Sequence, residues 1–188
     1  MLLACLLVHV GLSGQKLRYD VFLFGKKIGE TTVERRDSAG FRHYFLHNTS
    51  RVQLLFMDRK MDISAHVLIG SDGTMASSIY ESIKENGKSC TKTIWDKDKL
   101  LVEKNGEKKV ISSAIKFPSI FLYFFEPDKL QNFFSEQKGQ FVDIKKELEG
   151  KYSCQINKHV EKYTYSKGKL IQVEMQNSLG SIFMKLVN

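Results

Sequence analysis

Lys60-Met61-Asp62-Ile63-Ser64-Ala65-His66-Val67-Leu68-Ile69-Gly70-Ser71-Asp72-Gly73 is the stretch that decides the fold. Met61, Ile63, Ala65, Val67 and Ile69 alternate with Lys60, Asp62, Ser64, His66 and Leu68, the two-residue period of a strand with one face buried. The turn-forming run Gly70 to Gly73 follows at once. Further along, Asn86-Gly87 separates the segment from Ile79 to Glu85 from that of Ser89 to Asp96, and Asn105-Gly106 separates Leu100 to Lys104 from Lys108 to Ile115. Asn-Gly favours the type I′ hairpin, because both central residues need positive φ, which Asn tolerates and Gly accepts freely. Other reversals are expected at Gly25-Lys26-Lys27, Ser38-Ala39-Gly40, Gly150, Lys167-Gly168 and Ser178-Leu179-Gly180.

Connections this short force antiparallel neighbours. The expectation is an all-β, antiparallel up-and-down meander of about ten strands, in a strongly curved sheet or a barrel that hides its two edges. One break interrupts the pattern between Phe117 and Phe134, where both prolines of the chain lie. Pro118 is pre-set for a helix start, Ser119-Ile120-Phe121-Leu122-Tyr123-Phe124-Phe125 follows, and Glu126-Pro127 ends the run. Asp128 then caps a second turn carrying Leu130, Phe133 and Phe134, giving one short aromatic helical insertion.

The 188 residues, 42% of them hydrophobic, suffice for a single substantial core. No linker or repeat divides them. The net charge of +8 comes from 29 Lys and Arg against 21 Asp and Glu. Opposite charges are interspersed, as in Glu107-Lys108-Lys109, which speaks for a solvated surface and against nucleic acid as a partner. The first fourteen residues carry no charged side chain, and Leu2-Leu3-Ala4-Cys5-Leu6-Leu7-Val8 leads to the small residues Ser13 and Gly14. This reads as a signal peptide over 1–14, cleaved before Gln15, ahead of a single β domain over 15–188. It is too short to cross a bilayer, so the expected product is a periplasmic or secreted protein, not an integral membrane one. Lipid anchoring at Cys5 is the lesser alternative, since the Leu2 to Cys5 lipobox leaves no apolar stretch before it. A buried first strand is the structural one.

Once the leader is gone, Cys90 and Cys154 are the cysteines left. In an oxidising compartment they suggest one bridge, worth about 4 kcal/mol over so long a loop, against the alternative of two buried free thiols.

Catalytic patterns are thin. There is no phosphate-cradling Gly-rich loop, no Gly-x-Ser-x-Gly elbow and no His-Glu-x-x-His, and nothing calls for a cofactor or a metal. Ser113-Ala114-Ile115-Lys116 matches Ser-x-x-Lys but lies in a strand-like segment. His43 and His47 would stand about 13 Å apart on a strand, too far to share a metal. His66 and His159 have no evident partner, and Asp96-x-Asp98 reads as a turn. Asn48-Thr49-Ser50 and Asp37-Ser38-Ala39 are short glycosylation-like patterns, the second resembling an O-glycan acceptor with Ser38 at a predicted turn.

The aromatic cluster is the most unusual feature. It is either a plug, with Phe121, Phe124, Phe125 and Phe133 filling one end of the curled sheet, or a lid or wall of an apolar ligand cavity formed by Phe121, Tyr123, Phe124, Phe125 and Phe133. A third possibility is docking to a partner or membrane through exposed rings.

Tyr19-Asp20-Val21 through Gly25-Lys26-Lys27-Ile28-Gly29, the run from Phe117 to Pro127, and Tyr163-Thr164-Tyr165 with Gly168 resemble an uncharacterised exported domain-of-unknown-function family found mainly in Bacteroidota. The resemblance spans about Lys16 to Asn188. It implies a β-rich exported protein and carries over no catalytic residue. The function expected first is therefore a non-enzymatic envelope protein binding an apolar, lipid-like ligand within the sheet. The alternatives are a scaffold or partner-binding envelope protein with a fully packed core and, more remotely, a hydrolase whose site assembles across strands around His43, His47 or His66.

Overall fold

The computed structural model describes residues 14–187 except 39, 55–56, 86, 97–98, 157–158 and 178–179. The leader read over 1–14 lies outside the described residues up to Ser13, and Cys5 with it; Gly14 already opens the first strand.

Fourteen strands form one sheet. They are β1 (Gly14–Leu23), β2 (Lys26–Ser38), β3 (Phe41–Leu54), β4 (Met57–Ile69), β5 (Met75–Lys84), β6 (Gly87–Asp96), β7 (Lys99–Lys104), β8 (Glu107–Ile111), β9 (Asn132–Ser135), β10 (Gln140–Leu148), β11 (Lys151–Ile156), β12 (His159–Ser166), β13 (Lys169–Asn177) and β14 (Gly180–Leu186). Chain neighbours pair antiparallel, except that β8 and β9 are not joined; β1 pairs with β14 instead, so the order runs from β8 down to β1, then from β14 to β9. The all-β antiparallel meander is as the alternation predicts. Strands are more numerous than about ten because some reversals carry weak marks. β3 and β4 pair down to Leu54 with Met57, inside an apolar run without Gly, Pro or Asn.

Where a mark is strong, the backbone follows it. Asn105 (φ 50°) and Gly106 (φ 91°) both take the positive φ that a type I′ turn requires. In an up-and-down meander, connections after odd-numbered strands gather at one end, here the upper, and those after even-numbered strands at the other, the lower.

The sheet curls until its far strands meet. Gly139, in the β9–β10 turn, has φ 65°, and a Cβ there would lie 2.4 Å from Val102 Cγ1 on β7. Only glycine allows that approach. Beside it, Thr91 on β6 donates its hydroxyl to the Gln137 carbonyl at 3.1 Å. The segment between β8 and β9 fills the remaining gap: the Phe134 amide donates to the Phe117 carbonyl at 2.9 Å, with a parallel bridge between Pro118 and Phe134.

The predicted helical insertion is smaller than the sequence suggests. It contains a single 3-10 turn, Ser119–Tyr123. Phe133 and Phe134, expected on a second helical turn, are on β9 instead, paired with Val142 and Phe141. Backbone pairing with β10 satisfies more main-chain groups than an isolated turn could.

Candidate functional site

Inward residues of the fourteen strands and of the 3-10 turn meet inside the barrel. At the lower end they close on one another. Tyr19, Val33, Tyr44, Val67, Ile69, Met75 and Leu100 are fully buried. The Phe121 ring packs 5.0 Å from Tyr44, Phe124 lies 5.2 Å from the same ring, and Tyr123 meets Tyr19 edge-on at 5.6 Å. Tyr165 fastens the turn from below, its hydroxyl donating to the Leu122 carbonyl at 2.6 Å.

The start of the turn is held by Glu136, itself 2% exposed. Its carboxylate accepts from the Ser119 amide at 3.0 Å, from the Ser119 hydroxyl, and from the Ile120 amide at 3.1 Å. Burial pushes this carboxyl above its usual range, while the donors from Ser119 and Ile120 pull it back.

At the upper end the inward residues do not close. A cavity of about 280 Å³ remains between the 3-10 turn and the upper connections. Its walls are mainly apolar: Val21, Ile63, Ala65, Val173 and Met184 from four strands, with Ile120 as floor. Ile156 at the end of β11, Lys84 at the end of β5 and Gln137 in the β9–β10 turn place its mouth at the upper rim.

Polar side chains interrupt the apolar wall. Tyr163 donates to Glu161 Oε2 at 2.6 Å, the two sharing the inward face of β12. Burial raises the Glu161 carboxyl from its ordinary value, against the opposing pull of Tyr163, Lys138 and His159. On the opposite wall, Asn48 donates to the Thr31 hydroxyl at 2.7 Å. Ser82 Oγ is buried without a partner among the described residues. Burial drives Tyr80 and Tyr123 upward, so both phenols stay neutral.

The aromatic candidates divide between the two roles foreseen for them. Tyr123 and Phe133 line the cavity, whereas Phe121 and Phe124 form the plug. Phe125 is 40% exposed and leans on Phe121. Of the rings weighed for docking, Phe121 and Phe133 turn inward and Phe125 is the exposed one.

The remaining candidates lie elsewhere. Cys90 and Cys154 are free thiols. Alternation beside the buried Thr91 and Thr93 turns Cys90 outward, while Cys154 is buried on the inner face, so the bridge weighed from the sequence is not formed here. Burial lifts the Cys154 thiol to about 12. Asn48, suggested as a glycan acceptor, is 8% exposed and engaged with Thr31, which closes it to modification. Ser38 is exposed at the end of β2. Ser113 and Lys116 are exposed on irregular chain, without the helix a Ser-Lys pair needs.

His66 does have a partner. Its Nε2 lies 3.1 Å from His43 Nδ1, and both rings stack with Phe45 on the outer wall, where Arg36 covers Phe45 at 5.2 Å. Burial, with His43 next, lowers the His66 pKa. His47 approaches Asp62 at 3.9 Å on the same outer surface. Among the described residues no three His, Cys, Asp or Glu side chains are grouped to hold a metal.

The cavity polar set is what sequence reasoning missed. Its signal was present: with Tyr163 and Tyr165 inward on β12, the period of two puts Glu161 on the same face.

The sequence model of a domain of unknown function (DUF6134) matches residues 19–187. A crystal structure of a beta-barrel-like protein of domain of unknown function DUF1849 from Brucella abortus is similar, with a TM-score of 0.60 at 12% identity, over 94% of this chain and 97% of that one. No curated protein matches. Among the described residues no helix is long and apolar enough to cross a membrane.

Proposed function

We propose, for a chain that belongs to the DUF6134 family of unknown function, that the barrel binds a small apolar molecule in its upper cavity. The observation that carries this is the unfilled interior: about 280 Å³ walled by Val21, Ile63, Ala65, Val173 and Met184, in a fold whose lower end packs without such a space. That volume sits at the lower edge of the ~300–1,000 Å³ usual for small-molecule sites, so the ligand is a single short chain or ring.

Native mass spectrometry of protein purified from its own host is expected to show a bound small molecule, absent from Ala65→Trp, whose indole would occupy the space. Wild-type protein that is ligand-free and takes up no added aliphatic alcohol would refute the reading. The same proposal places the protein outside the cytoplasm, on the strength of the apolar run Leu2 to Val8. The mature N-terminus should then be close to Gln15, and a mature chain retaining Met1 would contradict export by cleavage.

A further inference from the structure

The cavity wall is uneven in a way that bears on ligand chemistry. β12 turns Glu161 and Tyr163 inward, and the Tyr163 hydroxyl is committed to Glu161 Oε2 at 2.6 Å. The other Glu161 oxygen accepts from no described group. Tyr80 and Tyr123 turn toward the same cavity, and among the described residues Ser82 Oγ is buried there without a partner. These groups line one cavity, and Glu161 lies close enough to both phenols to raise them electrostatically. A buried hydroxyl left unpaired, as at Ser82, is costly unless something in the cavity meets it.

The set combines an acceptor at Glu161 with donors at Tyr80, Tyr123 and Ser82. A hydroxyl matches it, because one oxygen both donates and accepts. A carboxylate does not: its charge would be desolvated in a mainly apolar site, next to a carboxyl whose own charged form burial already disfavours. Lys138 in the β9–β10 turn and His159 at the start of β12 face Glu161 from the rim, and Lys84 is exposed at the end of β5.

Resting on the reading of the cavity as an apolar-ligand site, we infer that its ligand carries an uncharged hydroxyl head held between Glu161 and the phenols of Tyr80 and Tyr123. The tail then lies against Ile63, Val173 and Met184. At ~30 Å³ per water-sized group, the space takes about nine non-hydrogen atoms. Octan-1-ol is a probe of that size.

The test is a methyl-detected NMR titration of the whole protein at neutral pH with octan-1-ol and, separately, octanoate. Octan-1-ol is expected to shift the methyls of Ile63, Val173 and Met184 with a Kd about tenfold below that of octanoate, the worth of one mismatched buried contact. Glu161→Gln keeps the shape, removes the ionisable carboxyl and supplies an amide donor, so the two ligands should converge to within about twofold. If octanoate binds wild type as tightly as the alcohol, the hydroxyl inference falls while the apolar cavity stands, and this arm needs no variant. It falls equally if Lys84→Ala abolishes octanoate binding that Glu161→Gln leaves unchanged, which would place the head at the rim. If neither ligand shifts those methyls, the cavity reading fails together with it.

Discussion

The lower and upper ends of the barrel are lined by the same strands in the same inward register, yet one is solid and the other hollow. The lower end receives the 3-10 turn Ser119–Tyr123, whose rings close against Tyr19 and Tyr44 and whose Leu122 carbonyl is fastened by Tyr165. The upper end receives no such insertion. Its inward positions carry shorter side chains such as Ala65, Ser50 and Ser82 opposite Val173 and Met184, which do not reach across. The difference teaches that a closed strand pattern alone does not fill a barrel of this size; whatever enters from a connection decides which end is core.

Five changes would break or sharpen that contrast. The largest effect is expected from Leu122→Ala, which removes a 1% exposed side chain from the plug and should cost about 2–5 kcal/mol in urea unfolding. Next come two substitutions on one strand. Val67→Phe overpacks the solid end and should cost about 1–3 kcal/mol, whereas Ala65→Phe, two residues away and facing the cavity, should cost less than about 1 kcal/mol. Equal penalties would mean that the upper space is not there in solution. Tyr165→Phe should cost about 1 kcal/mol, the net worth of its hydrogen bond to Leu122, without altering octan-1-ol uptake.

The smallest effect is expected in the pH dependence. Glu161 and Glu136 have folded pKa values raised by burial. A carboxyl so raised holds more protons folded than unfolded between its two values. Its contribution is therefore complete below the ordinary carboxylate range and is lost as pH rises through the raised value. Lys138 and His159 near Glu161 oppose part of this. Glu161→Gln should flatten the fall in stability above pH ~4.5, the ordinary value. An unchanged slope would show that Glu161 is not desolvated.

Much of the fold was legible in the sequence. The alternation from Met61 to Ile69 became β4, and the Asn105-Gly106 turn took the backbone its residues favour. What escaped has a physical reason in each case. The reversal between Leu54 and Met57 has no turn residue to announce it, and β9 was hidden because Phe133 and Phe134 follow a proline-started aromatic run that looks helical. Of the cavity, Tyr123 and Phe133 were foreseen as lining. Glu161, Tyr80 and Ser82 were not, because their meeting depends on strands distant in sequence curling face to face. The pairing of His66 with His43 escaped for a related reason, since it depends on the β3–β4 register setting Phe45 opposite His66.

The most direct test of the central claim is a high-resolution crystal structure of the protein purified from its own host. The account predicts continuous density for a short chain or ring enclosed by Val21, Ile63, Val173 and Met184, above a 3-10 turn packed on Tyr44. Side chains of β4 and β14 meeting across the upper end, with no space between them, would contradict it.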